Sequence, residues 1–385
     1  MRVLRLGLFR GAIFSCFVLL GFCLVVFLNV GCSPGNLTLG VHSPPPPVGN
    51  AFVFTANAGG NNISGFSNDG AGNLTAVPGS PFSSPGQPFG LAATPNNAFL
   101  YVSSFQNAQV TGFSINPTTG TLTPLTCPVA TTDAQPLKIA INPAGTLLFT
   151  ANQVGSVTGF AINTTTGCLT VISTTLTDSV ARGLTIDGTG QFLYVVTGGG
   201  GINLFTISAS GTLARQVIGG FDSTTGTMLA VKAVPGINVL LATDGGSTNN
   251  LRSFIINTTT GALTPIVVTV AGSSPPNPSA IAVNTPANAT TPLFYVANTA
   301  SNNLTVNTIA ADGTSGASSL TVPASIGPID LAVDPAGRFL YVANNGASTV
   351  TAFNANITAA NVNSAIISFV PTGAAPESIV VVGHP

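Results

Sequence analysis

The run Phe339-Leu340-Tyr341-Val342-Ala343-Asn344 has six near-copies along the chain. They are Phe52-Val53-Phe54-Thr55, Phe99-Leu100-Tyr101-Val102, Leu147-Leu148-Phe149-Thr150, Phe192-Leu193-Tyr194-Val195, Asn238-Val239-Leu240-Leu241 and Leu293-Phe294-Tyr295-Val296. Taken at residues 54, 101, 149, 194, 240, 295 and 341, the spacings are 47, 48, 45, 46, 55 and 46. Repeats of this length, built from short β-branched and aromatic runs without a helical period, fit the blades of a propeller. The expected fold is therefore all-β, a seven-bladed β-propeller of four-stranded antiparallel blades over residues 51–385.

Composition narrows the function classes. Only 5% of the 385 residues are charged, against about 25% in an ordinary soluble domain. Past residue 30 the apolar runs are short and broken by turn residues, which excludes a helical bundle in lipid. Three of the nine basic residues, Arg2, Arg5 and Arg10, stand at the extreme N-terminus. What remains cannot assemble the basic face that nucleic acid requires.

Those three arginines precede an apolar run from Gly11 to Leu28 and then Asn29-Val30-Gly31-Cys32-Ser33. A positive start, an apolar middle and a small residue before the cut read as an export signal over residues 1–31. The Gly31-Cys32 junction resembles a bacterial lipoprotein signal, with Cys32 as the lipidated residue; Asn29 stands where such signals usually carry leucine. An uncleaved membrane anchor is the competing reading. Residues 32–50 include Ser43-Pro44-Pro45-Pro46-Pro47 and read as a stiff tether, reaching at most about 50 Å at roughly 3.1 Å per residue. His42, in this tether, is read as solvated. Both readings place the propeller outside the cytoplasm, attached to the cell envelope, and the ring is expected as a monomer.

Each unit carries four strand signals. In the third they are Leu137–Ile141, Leu147–Thr150, Ser156–Ile162 and Cys168–Ile172, with Asn163-Thr164-Thr165-Thr166-Gly167 between the last two. The same turn recurs as Asn116-Pro117-Thr118-Thr119-Gly120 and Asn257-Thr258-Thr259-Thr260-Gly261. Asn opening and Gly closing such a segment is hairpin chemistry, since Gly takes the positive φ. The first unit opens on a second-type strand, Phe52-Val53-Phe54, and the chain ends on a first-type strand, Glu377–Val382. The C-terminal strand is therefore expected to complete the N-terminal blade and remove the open edges. Phe66, Phe113, Phe160, Phe205, Phe254 and Phe353 end the third strand of six units, with Asn307 in the remaining one. One aromatic at one fixed place per blade reads as inter-blade core. Cys127 and Cys168 are expected as two buried small hydrophobes rather than a bridge, because separate blades seldom bring Cα atoms within about 7 Å.

The recurring Phe-Leu-Tyr-Val-Ala-Asn, the following Val-Thr-x-Phe and the lead-in Asp334-Pro335-Ala336-Gly337-Arg338 resemble the seven-bladed lactonase family, which includes 6-phosphogluconolactonases and fungal muconate cycloisomerases. They equally resemble surface proteins with YVTN-type repeats. The family resemblance implies catalytic His and Arg where inner strands begin, and a Glu after a second strand. Arg182 falls at the arginine position; Leu137 stands where histidine is implied, and Thr197-Gly198 where the acid is implied. Glu377 is the one glutamate in the chain, and the two histidines are His42 and His384. Lactone opening needs a general base and a donor for the oxyanion. Arg182 supplies charge, and only Asp330 or Glu377 is left as base, both weak if ordinary. No Ser-His-Asp set, metal cluster or cofactor motif is present, and no cofactor is expected.

The charged set at the inner-strand starts is Lys138, Arg182, Asp330 and Glu377, with Lys232 two residues deeper in its strand. The bland reading is a solvated or mutually paired rim; the functional one is a ligand-binding mouth. Without His and Glu in the expected places, the sequence favours a non-catalytic binding or interaction module for a glycan, peptide or protein. The competing reading is a divergent lactonase hydrolysing a small sugar lactone through Arg182, Asp330 and Glu377; a purely structural envelope protein is the third.

Overall fold

A computed structural model of the chain describes residues 51–222, 227–245, 250–266, 277–285, 291–316 and 319–383. The export segment 1–31, the lipidation residue Cys32, the tether 32–50 with His42, and His384 lie outside the described residues. Among the described residues no helix is long and apolar enough to cross a membrane.

Seven antiparallel sheets follow one another along the chain. Their inner strands are Pro376–Val382 (blade 1), Pro88–Ala93 (blade 2), Pro136–Ile141 (blade 3), Ala181–Ile186 (blade 4), Met228–Ala233 (blade 5), Pro278–Asn284 (blade 6) and Pro328–Val333 (blade 7). Blade 1 mixes the two chain ends: Phe52–Asn57 pairs with Pro376–Val382 along its length, Phe54 opposite Val380. In blades 1 and 2 the outer strand is split, so Phe82–Ser83 and Ala130–Thr131 continue the edges begun by Leu74–Ala76 and Leu122–Pro124.

The core lies between blades. Six of the seven second strands are buried along their whole length, as Phe-Leu-Tyr-Val-Ser-Ser is at 99–104, and Leu293–Asn298 is buried after its first residue. The third-strand aromatics pack against the preceding blade: Phe160 with Tyr101, Phe205 with Phe149, Phe254 with Tyr194 and Phe353 with Tyr295. Register corrects one detail of the repeat. Leu240 pairs with Phe254 as Leu100 pairs with Phe113, so Leu241, not Leu240, is the counterpart of Tyr101. The second strand of the fifth unit lacks the aromatics that anchor the alignment in its neighbours.

The tyrosines also link blades through hydrogen bonds. Tyr101 Oη donates to Gly167 O at 2.7 Å and Tyr194 Oη to Gly261 O at 2.8 Å. Each acceptor closes the Asn-to-Gly turn of the next blade. There Asn163 Oδ1 accepts from the amides of Thr165 and Thr166, and Asn257 Oδ1 from those of Thr259 and Thr260. Gly167 has φ 74°. A Cβ on it would also lie 2.6 Å from the ring of Phe99, so the turn needs glycine for both conformation and contact.

That same contact explains a correction. Cys127 and Cys168 are disulfide-bonded, with Cα atoms 5.4 Å apart, instead of two separate buried hydrophobes. Cys127 lies in the break of the blade 2 outer strand, and the blade 3 turn that carries Cys168 folds back over that flank, pinned by Tyr101.

Tyr194→Phe keeps the packing and orphans a buried carbonyl. A loss of about 1–2 kcal/mol of unfolding free energy is expected by urea denaturation.

Candidate active site

All seven inner strands carry an irregularity immediately after their opening residue, where two residues face one on the second strand. Such bulges re-aim side chains at the rim of a sheet. The residues just after the opening positions are Glu377, Phe89, Leu137, Arg182, Leu229, Ser279 and Ile329 in blades 1 to 7. One acid and one base thus stand in an otherwise uncharged ring. Register places Leu137 and Arg182 at the same position of adjacent blades. One step inward come Ser378, Gly90, Lys138, Gly183, Ala230, Ala280 and Asp330, and all of these but Gly90 line the central channel. The sequence-predicted set therefore occupies two levels: Arg182 and Glu377 on the rim, Lys138 and Asp330 within the channel mouth.

Three of the four are brought together. Lys138 Nζ donates to Asp330 Oδ2 at 3.0 Å and to the backbone carbonyl of Glu377 at 3.1 Å. The pair runs from blade 3 to blade 7 past blades 1 and 2. Gly90 of blade 2 leaves room for this, because a Cβ there would fall 2.4 Å from Leu137 O. Asp330 accepts four hydrogen bonds: Oδ2 from Lys138 Nζ, from Ser378 Oγ at 2.8 Å and from Ile379 N at 3.3 Å, and Oδ1 from Leu331 N at 3.0 Å. Both of its oxygens are thus occupied by protein donors, which leaves it tied into the wall of the mouth. Glu377 differs. Its Oε1 accepts one side-chain bond, from Asn345 Nδ2 at 2.8 Å. Burial raises its pKa above the ordinary glutamate value, partly offset by the Lys138 charge and the Asn345 bond, and Asp330 adds to the rise.

Arg182 stands apart on blade 4, across the ring from blade 1. It is half-buried, and its Nε is fully buried with no hydrogen-bond partner among the described residues. The space beside it is Gly198, where a Cβ would lie 3.4 Å from that Nε. Gly198 belongs to the segment where the resemblance implies an acid, and it brings no side chain to this guanidinium. Sequence reasoning missed Ser378 and Asn345. Ser378 was findable by aligning the inner strands, since it shares its register position with Lys138 and Asp330; nothing in the sequence marks Asn345. Among the described residues no group of three or more His, Cys, Asp or Glu is gathered for a metal ion.

Residues 71–181 match the family model described as "Lactonase, 7-bladed beta-propeller", so the resemblance carried by the strand motif stands over that segment. No curated protein matches the chain. Solved structures that it resembles include a candidate 6-phosphogluconolactonase from Bacteroides fragilis, at 17% identity and TM-score 0.74, covering 88% of this chain and 100% of that one. A periplasmic gluconolactonase from Pseudomonas aeruginosa, at 17% identity, gives TM-score 0.71 over 88% of this chain and 100% of that one. A protein from Lactobacillus plantarum, at 18% identity, gives 0.68 over 87% and 99%. At these identities the structural likeness carries the fold alone. The family match overturns the expectation of a non-catalytic binding module and favours the competing lactonase reading. The group reckoned weak on the sequence was the base, and burial raises the pKa of one of its two candidates, Glu377.

Because Glu377 binds its proton more tightly folded than unfolded, unfolding free energy falls as pH rises from the ordinary glutamate value through the raised one. Glu377→Gln removes that segment of the pH–stability curve, measured by denaturant titration between pH 4 and 8.

Proposed function

We propose that the protein is a lactone hydrolase acting on a sugar lactone at the channel mouth. The observation that carries this reading is a Glu377 at the rim whose proton affinity burial raises, with the half-buried Arg182, which has no hydrogen-bond or ion-pair partner among the described residues, on the far side of the same rim. The family match over residues 71–181 supports the reaction class, and the lactonase names among the structural neighbours accord with it.

In this reading Glu377 accepts a proton from water as the water oxygen adds to the lactone carbonyl. The carbonyl oxygen becomes an oxyanion, which Arg182 receives. Collapse of the tetrahedral intermediate breaks the ring C–O bond, and the leaving oxygen takes the proton back from Glu377, giving a hydroxy acid. Asp330 does not take part in proton transfer. It anchors Lys138 and, through Ser378, fixes the strand that carries Glu377. A raised pKa suits Glu377 to this task, since a base is most effective when its pKa approaches the working pH.

The protein is also proposed to work outside the cytoplasm, attached through a lipid on Cys32. The sequence from Arg2 to Ser33 supports export, and the Cys127–Cys168 disulfide accords with an oxidising compartment.

Purified protein incubated with aldonolactones is expected to exceed the spontaneous rate. Arg182→Ala and Glu377→Gln should each lower kcat/KM about 100-fold or more. The wild-type rate should rise with pH through the Glu377 pKa, while Glu377→Gln stays flat. Turnover equal in wild type and both variants would sink the assignment. For the anchor, radiolabelled palmitate fed to expressing cells should label the wild type and not Cys32→Ser.

A further inference from the structure

Behind the mouth, the inner strands enclose a cavity of about 530 Å³. Its charged lining residues are Lys138, Lys232 and Asp330, an excess of one positive charge. Asp330 is already engaged by Lys138, Ser378 and two backbone amides. Lys232 has no hydrogen-bond or ion-pair partner among the described residues and feels only the field of Asp330.

Strand register places Lys232 opposite Leu241, the level at which Ala92, Ala140, Ala282 and Ala332 oppose their own second strands. Lys232 is thus the one charged side chain in a ring of small ones, about 7 Å (two residues of strand) below the level of Asp330. Lys232 is exposed to water in the lumen, and the desolvation imposed by the surrounding strands lowers its pKa below the ordinary lysine value. Thr185 of blade 4 stands at the same level, opposite Tyr194. Its Oγ1 accepts from Ala233 N at 3.3 Å, and its own proton is left to donate.

A lysine that opens onto an uncharged lumen, with the one nearby acid already engaged, focuses a positive field there and draws anions in from solution. The surrounding side chains leave the space for a counter-ion. We propose that the channel holds a small oxyanion, a phosphate or carboxylate, bound by Lys232 with help from the Thr185 hydroxyl. This site lies deeper than the Arg182–Glu377 rim and does not depend on lactone hydrolysis.

The test is thermal unfolding of the purified protein, titrated separately with inorganic phosphate and with gluconate at constant ionic strength set by sodium chloride. A rise of about 4 °C at a hundredfold excess over Kd is expected for at least one of the two. The preferred ion tells phosphate from carboxylate. Lys232→Ala carries the residue already found at this level in four other blades, so folding should survive, and Lys232→Met preserves bulk. Both should lose the shift, and Lys232→Arg should keep part of it. No shift in the wild type with either anion, or equal shifts in wild type and Lys232→Ala, would overturn the proposal.

Discussion

Closure of the ring is the constraint on which the remaining structure rests. Each sheet buries both faces against its neighbours, so an open array would leave two apolar faces and two unpaired edges in water. The chain avoids this by pairing Phe52–Asn57 with Pro376–Val382, its two ends. The last strand does more than complete a blade. It carries Glu377 to the rim, Ser378 to Asp330 and the Glu377 carbonyl to Lys138. Closure and assembly of the site are therefore one event. A chain that had folded six blades would hold Lys138 and Asp330 without the groups that organise them.

Adjacent blades are held in step by a second device. The second-strand tyrosine of one blade reaches the glycine-closed turn of the next, at Tyr101–Gly167 and Tyr194–Gly261. This contact is directional, unlike the apolar packing around it, so it fixes how far each sheet slides along its neighbour. Phe54 and Phe149 occupy the same position without a hydroxyl and are equally buried. The hydroxyl therefore adds to a junction that packing alone can form. The disulfide reinforces the blade 2–blade 3 junction, where the outer strand of blade 2 is interrupted.

Much of this was legible in the sequence. The recurring strand, the Asn-to-Gly turns and the unmatched strands at the two ends give blade number and closure, because each is a local pattern with one geometric outcome. Leu241 was misplaced by one residue because Val239-Leu240-Leu241 carries no aromatic to set its phase. The disulfide was misjudged because linear blade boundaries conceal how a turn of one blade overlies the flank of the preceding one. At the site, the inner-strand alignment identified Lys138, Arg182, Asp330 and Glu377. It gave no hint that a bulge divides them into two levels, or that Asp330 would be saturated with donors while Glu377 would not. Those distinctions arise from three-dimensional neighbours such as Asn345 and Ser378, contributed by loops and strands far apart in the chain.

Charge poverty explains why the division matters. In a protein with ordinary charge density, a buried acid is usually countered by nearby cations that return its pKa to the normal range. With only 5% of residues charged, few cations are at hand to offset burial, and each ionisable group takes its character from its immediate partners. Asp330, given Lys138 and three further donors, is tied into the structure. Glu377, given one amide, retains its proton longer than an ordinary glutamate. Arg182, faced by Gly198, keeps a buried donor without an acceptor. Few charges thus suffice for three distinct roles, because the surroundings neither screen them nor make them alike.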